Sequence, residues 1–139
     1  MPTIYGIRKD VGFAQSAWEA NLARVLRFVG RDILTHQEMR LSDDSLYEID
    51  FLTLDRRGRM VGYEIMAHPL ENPKGWDKLE RAILEYPNIV FRVVDVKYYR
   101  RLEKHFAAII ADDDRFCGWE NNRDNLKNNP QKYTEETLS

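Results

Sequence analysis

The fold is decided by the stretch Leu46-Tyr47-Glu48-Ile49-Asp50-Phe51-Leu52-Thr53-Leu54, Asp55-Arg56-Arg57-Gly58-Arg59, Met60-Val61-Gly62-Tyr63-Glu64-Ile65-Met66-Ala67. Its two outer runs are rich in β-branched and aromatic residues and are separated by a short charged link, the pattern of two strands. A three-residue loop ending in Gly58 suits a type I turn closed by a left-handed residue, so the strands form a hairpin. That loop sets the register: Asp55 opposes Arg59, Phe51 opposes Tyr63, and Asp50 opposes Glu64. Directly opposed residues share a sheet face, with Cβ atoms about 4.5–5.5 Å apart.

Upstream of the hairpin, a strand is expected within Ile33–Leu41, closed by Ser42-Asp43-Asp44-Ser45. Before it, Ser16 is an N-cap and Glu19 completes a capping box. Trp18, Leu22, Val25, Leu26 and Val29 then recur at helical spacing, and Gly30 supplies the stop. Downstream, Trp76, Leu79, Ala82, Ile83 and Tyr86 give a second helical stripe that ends at Pro87. Ile89–Val96 is an apolar run interrupted by Arg92, the pattern of a strand buried on both faces. Tyr98, Leu102, His105, Phe106 and Ile109 mark a last helix. The expected fold class is therefore α/β. A short arm (1–15) precedes an αβββαβα body (16–111), with a mixed sheet and a right-handed crossover. A polar extension (112–139) follows, in which Phe116, Trp119 and Leu126 predict a short docked helix.

A chain of 139 residues with 43% apolar and 32% charged residues is one domain's worth of globular protein. It has no run of 18 or so apolar residues, so no membrane partner is expected. Met1-Pro2-Thr3-Ile4-Tyr5-Gly6 lacks the basic and then apolar pattern of a secretory signal. The single cysteine, Cys117, excludes a disulfide framework and a cysteine-rich zinc site, and points to a reducing cytoplasm. The net charge of −2 argues against a protein that coats nucleic acid. From Asp112 onward there are seven acidic and four basic residues, which leaves the rest weakly basic. A local basic face can still contact DNA.

The chemistry centres on Asp50 and Glu64. Like charges directly opposed in a sheet are destabilising. Solvation or a nearby arginine can relieve them, and so can a divalent cation, since Mg²⁺ prefers carboxylate oxygens. Glu19, at the edge of its helical stripe, is either a third acidic ligand or only a capping-box residue. His68 is a candidate proton carrier or an ordinary loop histidine before Pro69. His36 and His105 read as strand and helix residues with no visible partner. Phosphate contacts are expected from Arg8 and Lys9 on the arm, and from Arg56, Arg57 and Arg59 at the hairpin tip. Lys97, Arg100, Arg101 and Lys104 on the last helix are the third candidate group, or a solvated helix face. No helix-turn-helix or zinc-finger signature is present.

Taken in order, Tyr5-Gly6-Ile7-Arg8-Lys9…Gly12-Phe13, Ser16-Ala17-Trp18-Glu19, Tyr47-Glu48-Ile49-Asp50-Phe51 and Val61-Gly62-Tyr63-Glu64-Ile65-Met66 resemble the PD-(D/E)XK nuclease superfamily. Within it they are most similar to phage-type endonuclease I, the Holliday-junction resolvases, over roughly residues 5–105. The resemblance implies a restriction-endonuclease-like αβββαβ core, Mg²⁺ or Mn²⁺ as cofactor, and branched DNA as substrate. It further implies a homodimer and a phage or prokaryotic cytoplasmic setting. Asp50, Glu64 and the backbone carbonyl of Ile65 would hold the metal, with Glu19 assisting. Two positions depart from the pattern. Ile49 replaces the proline before Asp50, and Met66 replaces the motif lysine, which a thioether cannot match as a proton donor. Lys74 or Lys78 could supply the missing ammonium. Otherwise Met66 marks an inactivating substitution, or a protein that binds branched DNA without cutting it.

Overall fold

The structure is a computed structural model that describes residues 6–121. The described residues fall into two compact units. One comprises the segments up to Gly30 and from Arg101 onward, and the other runs from Arg31 to Arg100. Three helices and a four-stranded mixed sheet make the chain α/β.

In the first unit, β1 (Ile7–Arg8) and β2 (Gly12–Phe13) form a two-residue antiparallel pair. Helix α1 (Ala17–Phe28) follows. Its start is as expected, with the Ser16 hydroxyl accepting from the Glu19 N–H at 3.1 Å. Its end is the glycine stop: Gly30 has φ +83° and donates its N–H to the Arg27 carbonyl. The buried face of α1 carries more than aliphatic residues. Asn21 and Arg24 are fully enclosed, with Arg8 and Glu120 beside them. Arg24 Nε donates to Asp10 Oδ2 at 2.7 Å, and its Nη1 lies 2.8 Å from Glu120 Oε2. Arg8 donates to both Glu120 oxygens, at 2.9 and 2.7 Å. Asn21 and Glu120 exchange side-chain and backbone bonds. Two cations thus meet two anions, a closed arrangement in which each charge has a partner, as burial demands.

Two expectations are corrected here. Arg8 does not offer its guanidinium to a nucleic acid, because Glu120 and the Ala14 carbonyl hold it in the interior. The extension does not begin as a tail at 112. Its residues up to Asn121 are packed into this unit as irregular chain rather than a short helix, with the Trp119 indole donating to Glu103. Leu126 lies outside the described residues. The last helix is α3 (Val96–Ala111). Of the expected stripe, Leu102 and Phe106 are half-buried, while His105 and Ile109 are exposed and the enclosed positions are Tyr99 and Ile110.

In the second unit, β3 (Ile33–Arg40), β4 (Leu46–Leu54), β5 (Met60–Ile65) and β6 (Ile89–Val94) lie side by side in that order. The first three are antiparallel, and β6 runs parallel to β5 after the crossover through α2 (Pro73–Glu85). The hairpin turn forms as its residues dictate. Gly58 has φ +79° and donates to the Asp55 carbonyl, and the Asp55 N–H reaches the Arg59 carbonyl. β6 lies at the edge of the sheet, and apart from the exposed Arg92 its residues on both faces are buried or half-buried, as expected from the apolar run. Helix α2 covers one sheet face with Leu79 and Ala82, packing with Met39, Leu41, Tyr47, Ile49, Met66 and Ile89. Gly62 keeps that face thin: a Cβ there would collide with Ile49 Cδ1.

Among the described residues, no helix is long and apolar enough to cross a membrane.

The buried ion network carries a pH signature. Burial alone would raise the Asp10 pKa, but the Arg24 guanidinium and the Cys117 N–H outweigh it and hold the carboxyl below its ordinary range. A lowered folded-state pKa stabilises the protein above the ordinary carboxylate value, and that stabilisation fades as pH falls through the folded value. Asp10→Ala is expected to lose about 3–5 kcal/mol at pH 7, the usual result of orphaning a buried partner. Denaturant titrations should show the gap to wild type closing below about pH 4.

Candidate functional site

The site is built on an irregularity in the sheet. Tyr47 and Ile49 pack toward α2, and so does Leu52. Strict two-residue alternation from Ile49 would send Leu52 to the other face. The phase of β4 therefore slips by one at Asp50–Phe51. β3 slips with it, because its pairing stays in one register, from Thr35↔Phe51 to Gln37↔Ile49, while His36 and Asp50 drop out of the ladder. His36 has φ +52°, the left-handed conformation that absorbs the slip. It is uncommon for a residue with a Cβ, though histidine tolerates it better than most. The His36 imidazole Nδ1 lies 3.1 Å from Glu48 Oε1, so this histidine has a carboxylate partner that the sequence did not reveal.

The β4–β5 ladder has the expected register, with Phe51 opposite Tyr63, and that is its last pair. Asp50 does not stand paired opposite Glu64 as simple alternation requires. Released by the slip, its carboxylate accepts the Ile65 N–H at 2.7 Å. In a strand the N–H and C=O of one residue leave on the same side. The Ile65 carbonyl therefore also faces the β4 side, where Asp50 lies. Met66 alternates to the other side and donates its N–H to the Val94 carbonyl of β6.

Glu64 lies on the α2 face, level with Val93 of β6. Its Oε1 accepts the Tyr47 hydroxyl at 2.8 Å. Burial pushes the Tyr47 phenol far above its ordinary pKa, and the negative charges of Glu64 and Asp50 push the same way. Tyr47 is thus held in its protonated form, able to donate to Glu64. Asp50, Glu64, the Ile65 backbone and Tyr47 form one cluster at the end of the hairpin.

The remaining candidates are placed as follows. Glu19 belongs to the other unit. It is buried, and its Oε1 accepts the Gln15 N–H at 3.3 Å, a capping arrangement displaced by one residue from the expected box. Met66 follows Glu64 on the same face, but its side chain is sealed into the apolar core, so it offers the site nothing polar. Lys78 is tied to the Leu46 carbonyl at 3.2 Å, and Lys74 is exposed in the first turn of α2. Arg56 and Arg57 are exposed at the hairpin tip, whereas Arg59 is paired with Asp55 at 2.7 Å. Lys9 is exposed, and Lys97, Arg100, Arg101 and Lys104 form an exposed stripe along α3. His68 is exposed beside Glu71, at 3.8 Å, on the rim of a cavity of about 380 Å³ at the C-terminal ends of β5 and β6. Among the described residues, no group of three or more His, Cys, Asp or Glu side chains is arranged to hold a metal.

Sequence reasoning missed Tyr47 and the partner of His36. The signal for Tyr47 was available: a tyrosine on the buried phase of a strand must find a partner for its hydroxyl. Nothing in the sequence marks His36, since its backbone conformation answers to the slip and not to its own preference. No protein-family model matches the chain, and no curated protein or solved structure matches it significantly.

Two substitutions test this geometry. His36→Gly, which accepts a positive φ freely, should keep wild-type stability, whereas His36→Val should lose roughly 1–3 kcal/mol in urea unfolding. Met66→Lys places an ammonium in the apolar core, where the charged form is disfavoured. Its destabilisation relative to wild type should be larger at pH 7 than near pH 10, where less of the charge must be carried inside.

Proposed function

We propose that the chain is a metal-dependent DNA endonuclease with a restriction-endonuclease-like core, acting on branched DNA such as a four-way junction. The observation that carries this reading is the end of the β4–β5 hairpin. There the Asp50 carboxylate meets the Ile65 backbone next to Glu64. Two carboxylates and a carbonyl on one strand end are hard oxygen donors, a set that fits Mg²⁺ or Mn²⁺. Such ions keep several waters and need only one or two carboxylates from the protein. Asp50, Glu64 and the Ile65 carbonyl would hold the ion. When bound, it supplies a water activated for attack and offsets charge on the leaving oxygen. The exposed stripe Lys97, Arg100, Arg101 and Lys104, with Lys9, Arg56 and Arg57, supplies phosphate contacts that position DNA without reading bases. A homodimer suits a substrate with two-fold symmetry.

A second reading, a DNA-structure-binding module that does not cut, is favoured by one observation. The motif lysine is Met66, and Met66 is part of the core. Restoring an ammonium there would disturb packing as well as chemistry, so the two readings are separated on the unaltered chain. Labelled four-way junction, duplex and single strand are incubated with protein in Mg²⁺, Mn²⁺ or EDTA. The nuclease reading expects junction cleavage in metal, none in EDTA, and a loss of about 100-fold or more in Asp50→Asn. Salt-sensitive junction binding without cleavage in either metal establishes the binding module instead.

A further inference from the structure

The parallel strands β5 and β6 end together, with Ile65 level with Val94 and the Met66 N–H donating to the Val94 carbonyl. Beyond them the two chains part, Ala67 leading to a single helical turn (Pro69–Glu71) and Asp95 into α3. The cavity of about 380 Å³ lies in that fork. Open α/β sheets bind ligands in such crevices, outside the carboxyl ends of parallel strands. Leu70 stands on the rim and is 98% exposed, more than any other large apolar residue described. We propose that this corner binds an unstacked nucleotide of branched DNA: Leu70 enters the base stack as a wedge, and the cavity behind it receives the displaced base.

A lone exposed leucine on a surface needs no explanation. Leu70 differs in being braced. Pro69 fixes the backbone before it, the Glu71 N–H donates to the His68 carbonyl at 3.0 Å, and the Asn72 N–H donates to the Pro69 carbonyl at 3.1 Å. Asn72 in turn caps α2 through the Gly75 N–H. An apolar side chain held out in water gains free energy only when an apolar surface covers it. The faces of bases are such a surface, and leucine is among the side chains that wedge between base steps. Unstacking costs least where pairing is already interrupted, so a branch point is favoured over continuous duplex. Behind the wedge, Ala67 and Val96 give the cavity apolar walls. Lys97 offers a cation for the phosphate of the displaced nucleotide and begins the exposed stripe along α3. Asp95 Oδ1 accepts the Tyr98 N–H at 2.8 Å, and its carboxylate has further acceptor sites for the amino group of a base. Glu71, the other carboxylate at the rim, lies 3.8 Å from the His68 imidazole.

This inference rests on the proposed action on branched DNA, and the experiment keeps the two apart. The full chain is titrated, in EDTA and in Ca²⁺, into a four-way junction carrying 2-aminopurine at its branch point and into a duplex carrying it at the same sequence. Wild type should raise the junction fluorescence, the sign of an unstacked base, and leave the duplex signal unchanged. Leu70→Ala, at an exposed position that the fold does not need, should abolish the rise. It should also weaken junction binding about tenfold, within what covering a leucine side chain contributes, while duplex affinity stays the same. Leu84→Ala removes another exposed leucine of the same unit, 80% exposed, and should behave as wild type. Lys97→Ala should weaken junction and duplex alike and keep the rise at saturation. Equal fluorescence in Leu70→Ala and wild type overturns the proposal, and so does an equal loss in Leu84→Ala. Self-association of wild type that Leu70→Ala abolishes, with the fluorescence unchanged, overturns it by assigning Leu70 to a protein interface. A wild type that binds no junction in either condition overturns it too, and cleavage in Mg²⁺ or Mn²⁺ then decides the nuclease reading separately.

Discussion

Where β4 and β5 stop pairing, the Ile65 N–H would be left without a strand partner, and the Asp50 carboxylate takes it at 2.7 Å. A charge-assisted bond of this kind is stronger than the ladder bond it replaces. It closes the hairpin and, by the geometry of extended chain, keeps the Ile65 carbonyl on the Asp50 side. The bond exists because β3 and β4 slip phase together. A slip in one strand alone would change the register and move the apolar side chains of that strand to the wrong face. With His36 absorbing the slip in β3, the pairing on either side stays in step and the β3–β4 ladder is interrupted at one position.

The electrostatic character of the cluster follows from its neighbours. The partners of its two carboxylates described above are a backbone N–H and a phenol, neither of which brings a compensating charge. Such donors stabilise a carboxylate without themselves carrying a charge. The contrast with the first unit is sharp. There Asp10 and Glu120 are each matched by an arginine, and the whole set is enclosed.

Much of the fold was legible because the local signals and the tertiary demands agreed. Ser16 with Glu19, Gly30, and the Arg56-Arg57-Gly58 turn each state a backbone conformation that the structure adopts. The register followed from the turn as far as Phe51 and Tyr63. It failed at Asp50, because the period-two rule has no means of showing a slip that both strands share. The apolar run of β6 gave its burial on both faces, but composition does not reveal that it is the edge strand. Arg8 and Glu120 were misread for a different reason. Charged side chains are seldom fully buried, and 112 residues separate these two, so nothing local joins them. The hydrogen bond from Tyr47 to Glu64 had no counterpart in the sequence reading, because a strand pattern shows which face a tyrosine takes but not which acceptor its hydroxyl meets.

The ion network of the first unit also sets an order of assembly. Arg8 and Arg24 are synthesised early and Glu120 about a hundred residues later, with the continuous segment Arg31–Arg100 of the second unit made in between. Until Glu120 leaves the ribosome, two guanidiniums that end up buried lack one of their anions, and burial without it is strongly disfavoured. The second unit has its whole sheet available by then, and units that are complete fold as they emerge. The network of the first unit is therefore closed by residues made about a hundred positions after the helix they join.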